Sequence, residues 1–209
     1  MSKGSTLLAG ALTGALLLTG CSVGVPPSTD GASAPVQQSR VDVDTPELRA
    51  AKADAGIEPC EAVDAPPADA DPLPEVTLPC LGGGPAVDLS GLRGPAVVNL
   101  FAQWCEPCRE ELPYYQRLHE QGGRDVHVLG IDYLDTQPDG ALALAADTGV
   151  TYPLLADPDG VLRSEFRIRG LPGVVFVDAQ GRVTHVEFTV IRSYRQLTDL
   201  VEEHLGVSL

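Results

Sequence analysis

Between Val97 and Phe101 only Asn99 interrupts an apolar run, and the next residues, AQWCEPCREELP, turn polar with helical spacing. The run predicts a buried strand, and the change of period predicts a helix directly behind it over Cys105 to Gln121, bent at Pro113, where proline removes a backbone hydrogen bond. Val87 to Leu89 predicts an earlier strand across the Ser90 to Pro95 turn. VHVLGIDY, Val126 to Tyr133, predicts a strand, Asp139 to Thr148 an Ala/Leu helix, and Tyr152 to Asp157 with Val161 to Phe166 a short strand and a helical turn. Val174 to Val177 and Arg182 to Phe188 alternate as strands about Asp178-Ala179-Gln180-Gly181, a hairpin turn sequence. Tyr194 to Leu205 closes the chain as a helix with Leu197, Leu200, Val201 and Leu205 on one face. Strand, helix, strand, helix, hairpin and helix predict an α/β domain with a mixed sheet between helices.

Upstream the patterning fades. Ser22 to about Val43 is Pro, Ser, Gly, Ala and Gln, a composition that buries too little apolar surface to fold and predicts a tether. Thr45 to Ile57 predicts a short helix after its Thr-Pro start, and Val63 to Pro74 is a second Pro/Ala/Asp-rich stretch. At the start, Lys3 precedes the apolar Leu7 to Leu18 and then Leu18-Thr19-Gly20-Cys21. That ending resembles a bacterial lipoprotein lipobox, which implies cleavage before Cys21, acylation of its sulfur and a mature chain held to the membrane by lipid. An ordinary signal peptide ending near a cysteine is the alternative. The organisation expected is residues 1–20 as lipoprotein signal peptide, 21–56 as flexible tether, 57–86 as an N-terminal extension and 87–209 as the catalytic domain.

Composition narrows the partners. A hydrophobic fraction of 44% in 209 residues suits one soluble domain with an appendage. A net charge of −15, with Lys3 and Lys52 as the only lysines, argues against nucleic acid and anionic headgroups, which need a basic surface.

The candidate chemistry lies where the strand meets the helix. A helix start has unpaired N–H groups and partial positive charge, which favour a thiolate, so Cys105 is the expected nucleophile. Cys108, one turn on, is the resolving thiol. A zinc site would need two further ligands at matching spacing, and His119, His127, His185 and His204 show none, so no metal or organic cofactor is implied. A purely structural bridge is the other alternative. Asp132 and Asp135 read as ordinary loop carboxylates after a strand.

VVNLFAQWCEPCREELP and GLPGVVFVD resemble the thioredoxin superfamily, and within it TlpA/ResA-like extracytoplasmic thiol-disulfide oxidoreductases, over roughly Leu73 to Leu209. The resemblance implies the thioredoxin fold, a central mixed sheet flanked by helices. It implies that Pro172 is a cis-proline against the dithiol, with Leu171 offering backbone to substrate and Trp104 and Pro107 flanking the contact. Gly173 departs from the hydroxyl or β-branched residue common after that proline. Asn99 stands where cytoplasmic thioredoxins keep a buried Asp, and Glu111 matches an acid that ResA-like proteins keep beside the pair. Glu111 is therefore the expected proton acceptor for Cys108, the alternative being a solvated helix-face Glu. Glu106 should oppose thiolate formation on Cys105 and favour a reducing pair.

In an extracytoplasmic setting Cys60 and Cys80 are expected to pair as a structural staple, with electron relay to the active pair as the alternative. The expected function is reduction of protein disulfides, for example in cytochrome c maturation. Its partners would be protein thiols such as apocytochrome c and a membrane electron donor, and the chain is expected to act as a monomer on the outer face of the cell membrane. Competing readings are a disulfide-donating oxidase, a peroxide reductase, and a non-catalytic lipoprotein that holds a client around Trp104 and Pro172.

Overall fold

A computed structural model describes residues 40–209; the expected leader, the expected lipidation site Cys21 and most of the expected tether lie outside the described residues. Helix α1 (Pro46–Asp54) begins at Thr45, whose hydroxyl accepts the Leu48 N–H and whose following proline suits the first helical position. Two short strands, β1 (Thr77–Leu78) and β2 (Val87–Asp88), pair antiparallel as a separate ribbon. Here the structure corrects the sequence reading, in which Val87 to Leu89 ran as one strand: the Asp88 side chain accepts the Ser90 N–H and starts a 3-10 turn over Leu89–Gly91. A carboxylate that caps the next turn ends the strand locally.

The main sheet has the order β5-β4-β3-β6-β7. Strand β3 (Ala96–Phe101), buried throughout, is central; helix α2 (Glu106–Gly122) follows it, and β4 (His127–Tyr133) returns parallel beside it. Helix α3 (Pro138–Thr148) leads to β5 (Leu154–Asp157), parallel to β4, and the short helix α4 (Leu162–Phe166) follows. Strand β6 (Gly173–Val177) is antiparallel to β3, β7 (Val183–Glu187) is antiparallel to β6, and α5 (Tyr194–Leu205) closes the fold. This is the mixed sheet flanked by helices that the patterning predicts. Helix α2 runs through Pro113 without interruption.

Alternation along β3 divides the interior. Val97 and Phe101 join the layer of Cys105, Cys108, Leu112 and Tyr115, while Ala96, Val98 and Leu100 join the layer holding Cys60, Leu73, Cys80 and Leu89. Residues before β3 thus supply part of one core, and the expected boundary at residue 87 falls inside continuous packing.

Cys60 and Cys80 form a disulfide with Cα atoms 6.0 Å apart, closing a loop of 20 residues. Cys60→Ala with Cys80→Ala is expected to lower stability by about 3 kcal/mol, through a less restricted unfolded chain. Urea unfolding checks it, and a loss under about 1 kcal/mol would show that the bridge restrains little.

Candidate active site

Strand β3 ends at Phe101, and the chain turns so that the Cys105 N–H donates to the Ala102 carbonyl at 3.1 Å. Cys105 is the N-cap of α2, one residue outside the helix that the sequence pattern began with it, and its sulfur accepts the Cys108 N–H at 3.3 Å. The first turn of α2 thereby presents an amide and its dipole to that sulfur. Pro107 costs nothing there, since its missing N–H would have no partner in the helix. Cys105 and Cys108 are joined as a disulfide with Cα atoms 5.3 Å apart.

Both sulfur-bearing residues are covered: Cys105 is 5% exposed and Cys108 1%, whereas Trp104 is 53% exposed. The exposed surface at this junction therefore belongs to Trp104 and not to the neighbouring sulfur. Trp104 is held by its indole N–H, which donates to the Leu134 carbonyl at 3.3 Å, and Leu134 adopts φ 52°. Next to it, the Asp135 carboxylate accepts the Gln103 N–H at 2.8 Å and the Gln137 N–H at 2.9 Å. The loop after β4 thus grips the two residues before Cys105.

Asp135 and Asp132 are both buried, contrary to their reading as ordinary loop carboxylates. Burial first, then the Asp135 charge and a hydrogen bond with its carboxylate, push the Asp132 carboxyl well above the usual range. Asp132 is registered with Phe101 across the β3–β4 ladder, so the pair underlies the dithiol loop.

Glu111 is 2% exposed and shares the buried face of α2 with Cys108, Leu112 and Tyr115, which removes the alternative of a solvated surface carboxylate. Its carboxylate accepts the Ile191 N–H, a partner 80 residues away between β7 and α5. Burial raises its pKa to about 7, with the Ile191 hydrogen bond opposing and Glu110 adding to the rise. Asn99 is buried on the face of β3 that looks toward this layer, and among the described residues its Oδ1 has no hydrogen-bond partner. Its neighbour in β4 is Gly130, where a Cβ would come within 3.0 Å of the Tyr152 ring and 3.2 Å of Asn99 Oδ1.

The Leu171–Pro172 peptide is cis, and Gly173 directly after it is registered with Leu100 of β3. That register puts the cis-proline at the end of the sheet from which α2 departs. Gly173 has its own reason: a Cβ there would lie 2.8 Å from the Phe188 ring, which occupies the space a side chain would need. Phe188 is exposed and apolar, so it joins Trp104 as surface near the strand ends, and nothing in its spacing marked it in the sequence. A second cis bond, Gly94–Pro95, also escaped the sequence reading.

The His185 and His204 rings stack at 4.0 Å, with Phe176 5.2 Å from His204. Burial and the neighbouring His185 lower the His204 pKa. These two residues read from sequence as unrelated, because their contact joins β7 to α5. Among the described residues no group of three or more His, Cys, Asp or Glu could hold a metal ion.

The family model that matches is the AhpC/TSA family, over residues 70–186. The thiol:disulfide interchange protein DsbE of Pseudomonas fluorescens biotype C is 38% identical over 112 residues, 53% of this chain and 61% of that one. DsbE of Vibrio cholerae is 33% identical over 140 residues, covering 64% of this chain and 74% of its own. The chain spans about three-fifths of the length of several of the curated relatives it matches, the Pseudomonas fluorescens protein among them. Among solved structures, a thiol:disulfide interchange protein of the thioredoxin family from Chlorobium tepidum is similar with a TM-score of 0.56 and 27% identity, covering 68% of this chain and 99% of that one.

Proposed function

Since the chain belongs to the AhpC/TSA family and has the thioredoxin fold, we propose that it is a thiol-disulfide oxidoreductase that reduces disulfides of extracytoplasmic proteins through Cys105 and Cys108. The observation that supports this reading best is the helix-start disulfide, whose outer sulfur faces the Cys108 amide. In the reduced protein Cys105 attacks a partner disulfide: the Cys105–partner bond forms, the partner's own S–S bond breaks, and the electron pair goes to the departing partner thiolate. Cys108 then loses its proton and displaces the partner from Cys105, which leaves the enzyme oxidised by two electrons and the partner reduced by two. Glu111, one turn beyond Cys108 and holding a pKa of about 7, accepts that proton at neutral pH.

Leu171, half-buried before the cis bond, offers backbone to an extended partner, and Trp104 and Pro107 border the approach to Cys105. The acidic Glu106 in the first helical turn disfavours a second negative charge at Cys105 and so favours a reductant over an oxidant. Relatives named as thiol:disulfide interchange proteins support a place in cytochrome c maturation, with apocytochrome c as partner and a membrane donor restoring the dithiol. The lipobox-like Leu18 to Cys21 supports a lipid anchor on the extracytoplasmic face of the membrane.

Equilibration of the Cys105/Cys108 couple against glutathione tests the direction. A potential of about −200 mV or lower is expected for a reductant; one near about −120 mV, the range of strong oxidants, would replace this reading with that of a disulfide donor.

A further inference from the structure

The other disulfide is asymmetric. Lys52 Nζ on α1 donates to Cys80 Sγ at 2.9 Å and to the Gly83 carbonyl at 3.0 Å. Lys52 is the only lysine among the described residues and is 7% exposed. Burial lowers its pKa, and the Asp44 charge that opposes this is itself engaged by Arg49 at 2.6 Å. A disulfide sulfur is a weak acceptor and brings no charge to a buried ammonium, whereas a thiolate would supply both. The chain folds closely around this contact. Gly82, Gly83 and Gly84 have φ of 71°, 88° and 128°, and a Cβ would lie 2.8 Å from Lys52 Cβ at Gly82 and 3.3 Å from Cys80 Sγ at Gly84. Glycine alone admits that turn and that approach.

Cys60 has the opposite surroundings. Its sulfur lies 3.3 Å from the Leu154 carbonyl oxygen, whose partial negative charge disfavours a thiolate. Cys60 also forms part of the wall of an open groove of about 830 Å³, with Glu58, Val63, Leu92, His119 and His127 among the other lining residues. Cys80 does not line it, and neither do Cys105 and Cys108.

We propose that Cys60–Cys80 is a second thiol-exchange site, at which a low-molecular-weight thiol enters the groove and attacks Cys60 while Cys80 leaves as a thiolate held by Lys52. In the first step the bond from the small thiol to Cys60 forms, the Cys60–Cys80 bond breaks, and the electron pair stays on Cys80. A second small thiolate then displaces Cys60 from the adduct, giving the small disulfide; Cys60 takes a proton from water. Two small thiols are oxidised and one protein disulfide is reduced. The site does not depend on the activity proposed for Cys105 and Cys108.

The test uses the full chain with Cys21→Ser, Cys105→Ser and Cys108→Ser, so that Cys60 and Cys80 alone can exchange. With graded glutathione and acid quenching, peptide masses are expected to place the glutathione adduct on Cys60. Adding Lys52→Met should shift the equilibrium at least about tenfold toward the disulfide, the worth of a charge-assisted hydrogen bond. An adduct on Cys80, or an unchanged equilibrium, would overturn the proposal. Should Lys52→Met not fold, the same chain with Cys60→Ser in place of Lys52→Met exposes Cys80 as a free thiol. Its thiolate absorbance is expected to appear well below the value of about 8.5 for free cysteine, and titration at or above that value would overturn the proposal equally.

Discussion

Cys105→Ser is expected to abolish reduction of a model protein disulfide, with turnover falling about a thousandfold or more, while thermal unfolding shows the fold retained. The oxygen of serine is neither acidic enough nor nucleophilic enough to open an S–S bond, and the N-cap contact to the Cys108 amide is one a hydroxyl makes equally well. Loss of activity without loss of stability therefore separates chemistry from structure. Cys108→Ser should behave differently. The first attack proceeds, resolution cannot, and partners accumulate as mixed disulfides on Cys105. Residual turnover above background in Cys105→Ser, or failure of Cys108→Ser to retain a partner covalently, would remove the dithiol mechanism.

Glu111→Gln is expected to slow resolution about a hundredfold above pH 7 and to make the protein more stable there. In the folded protein the carboxyl holds its proton up to about 7, against an ordinary value of 4.5. Between those values the unfolded chain has released a proton that the native state retains, so the contribution of this group to stability is fullest below about pH 4.5 and declines as pH rises to about 7. Glutamine resembles the protonated form, keeps an oxygen for the Ile191 N–H and escapes that decline. Its gain at pH 8 is at most about 3 kcal/mol. Urea midpoints across pH 4 to 9 measure the stability arm, and single-turnover release of a trapped partner measures the rate. If the variant kept an inflection near pH 7 in the release rate, the proton acceptor would be another group.

The stability and activity arms pull in opposite directions because burial does both jobs. Desolvation makes an ionised Glu111 costly to the fold, and the same desolvation places its proton affinity where Cys108 can use it. Asp132 is raised for related reasons, but its neighbour Asp135 is committed to the Gln103 and Gln137 amides. Asp135 thereby shapes the loop carrying Trp104, and Asp132 lies on the β4 face that Val128 shares with the layer of Cys105 and Cys108.

Much of the architecture was legible along the chain. The apolar run of β3, the change of period into α2, the hairpin turn at Asp178 to Gly181 and the apolar stripe of α5 are patterns of neighbouring residues, and each element lies within a residue or two of its expectation. Val87 to Leu89 was misjudged where a single side chain, Asp88, competed with the strand by capping the next turn. Gly173 read as a departure from a family pattern because its meaning is the Phe188 ring 15 residues on.

What the sequence alone determined is the dithiol and its placement, since strand period, helix period and the spacing of Cys105 and Cys108 are all properties of contiguous residues. Only the tertiary structure decided what surrounds each sulfur and carboxyl: Ile191 on Glu111, Asp135 on Gln103, Lys52 on Cys80, His204 on His185. Those partners are 80, 32, 28 and 19 residues apart, and meet because strand order and helix crossovers bring their elements together. Burial and charge at such contacts follow from that packing, and with them the proton affinities on which the chemistry turns.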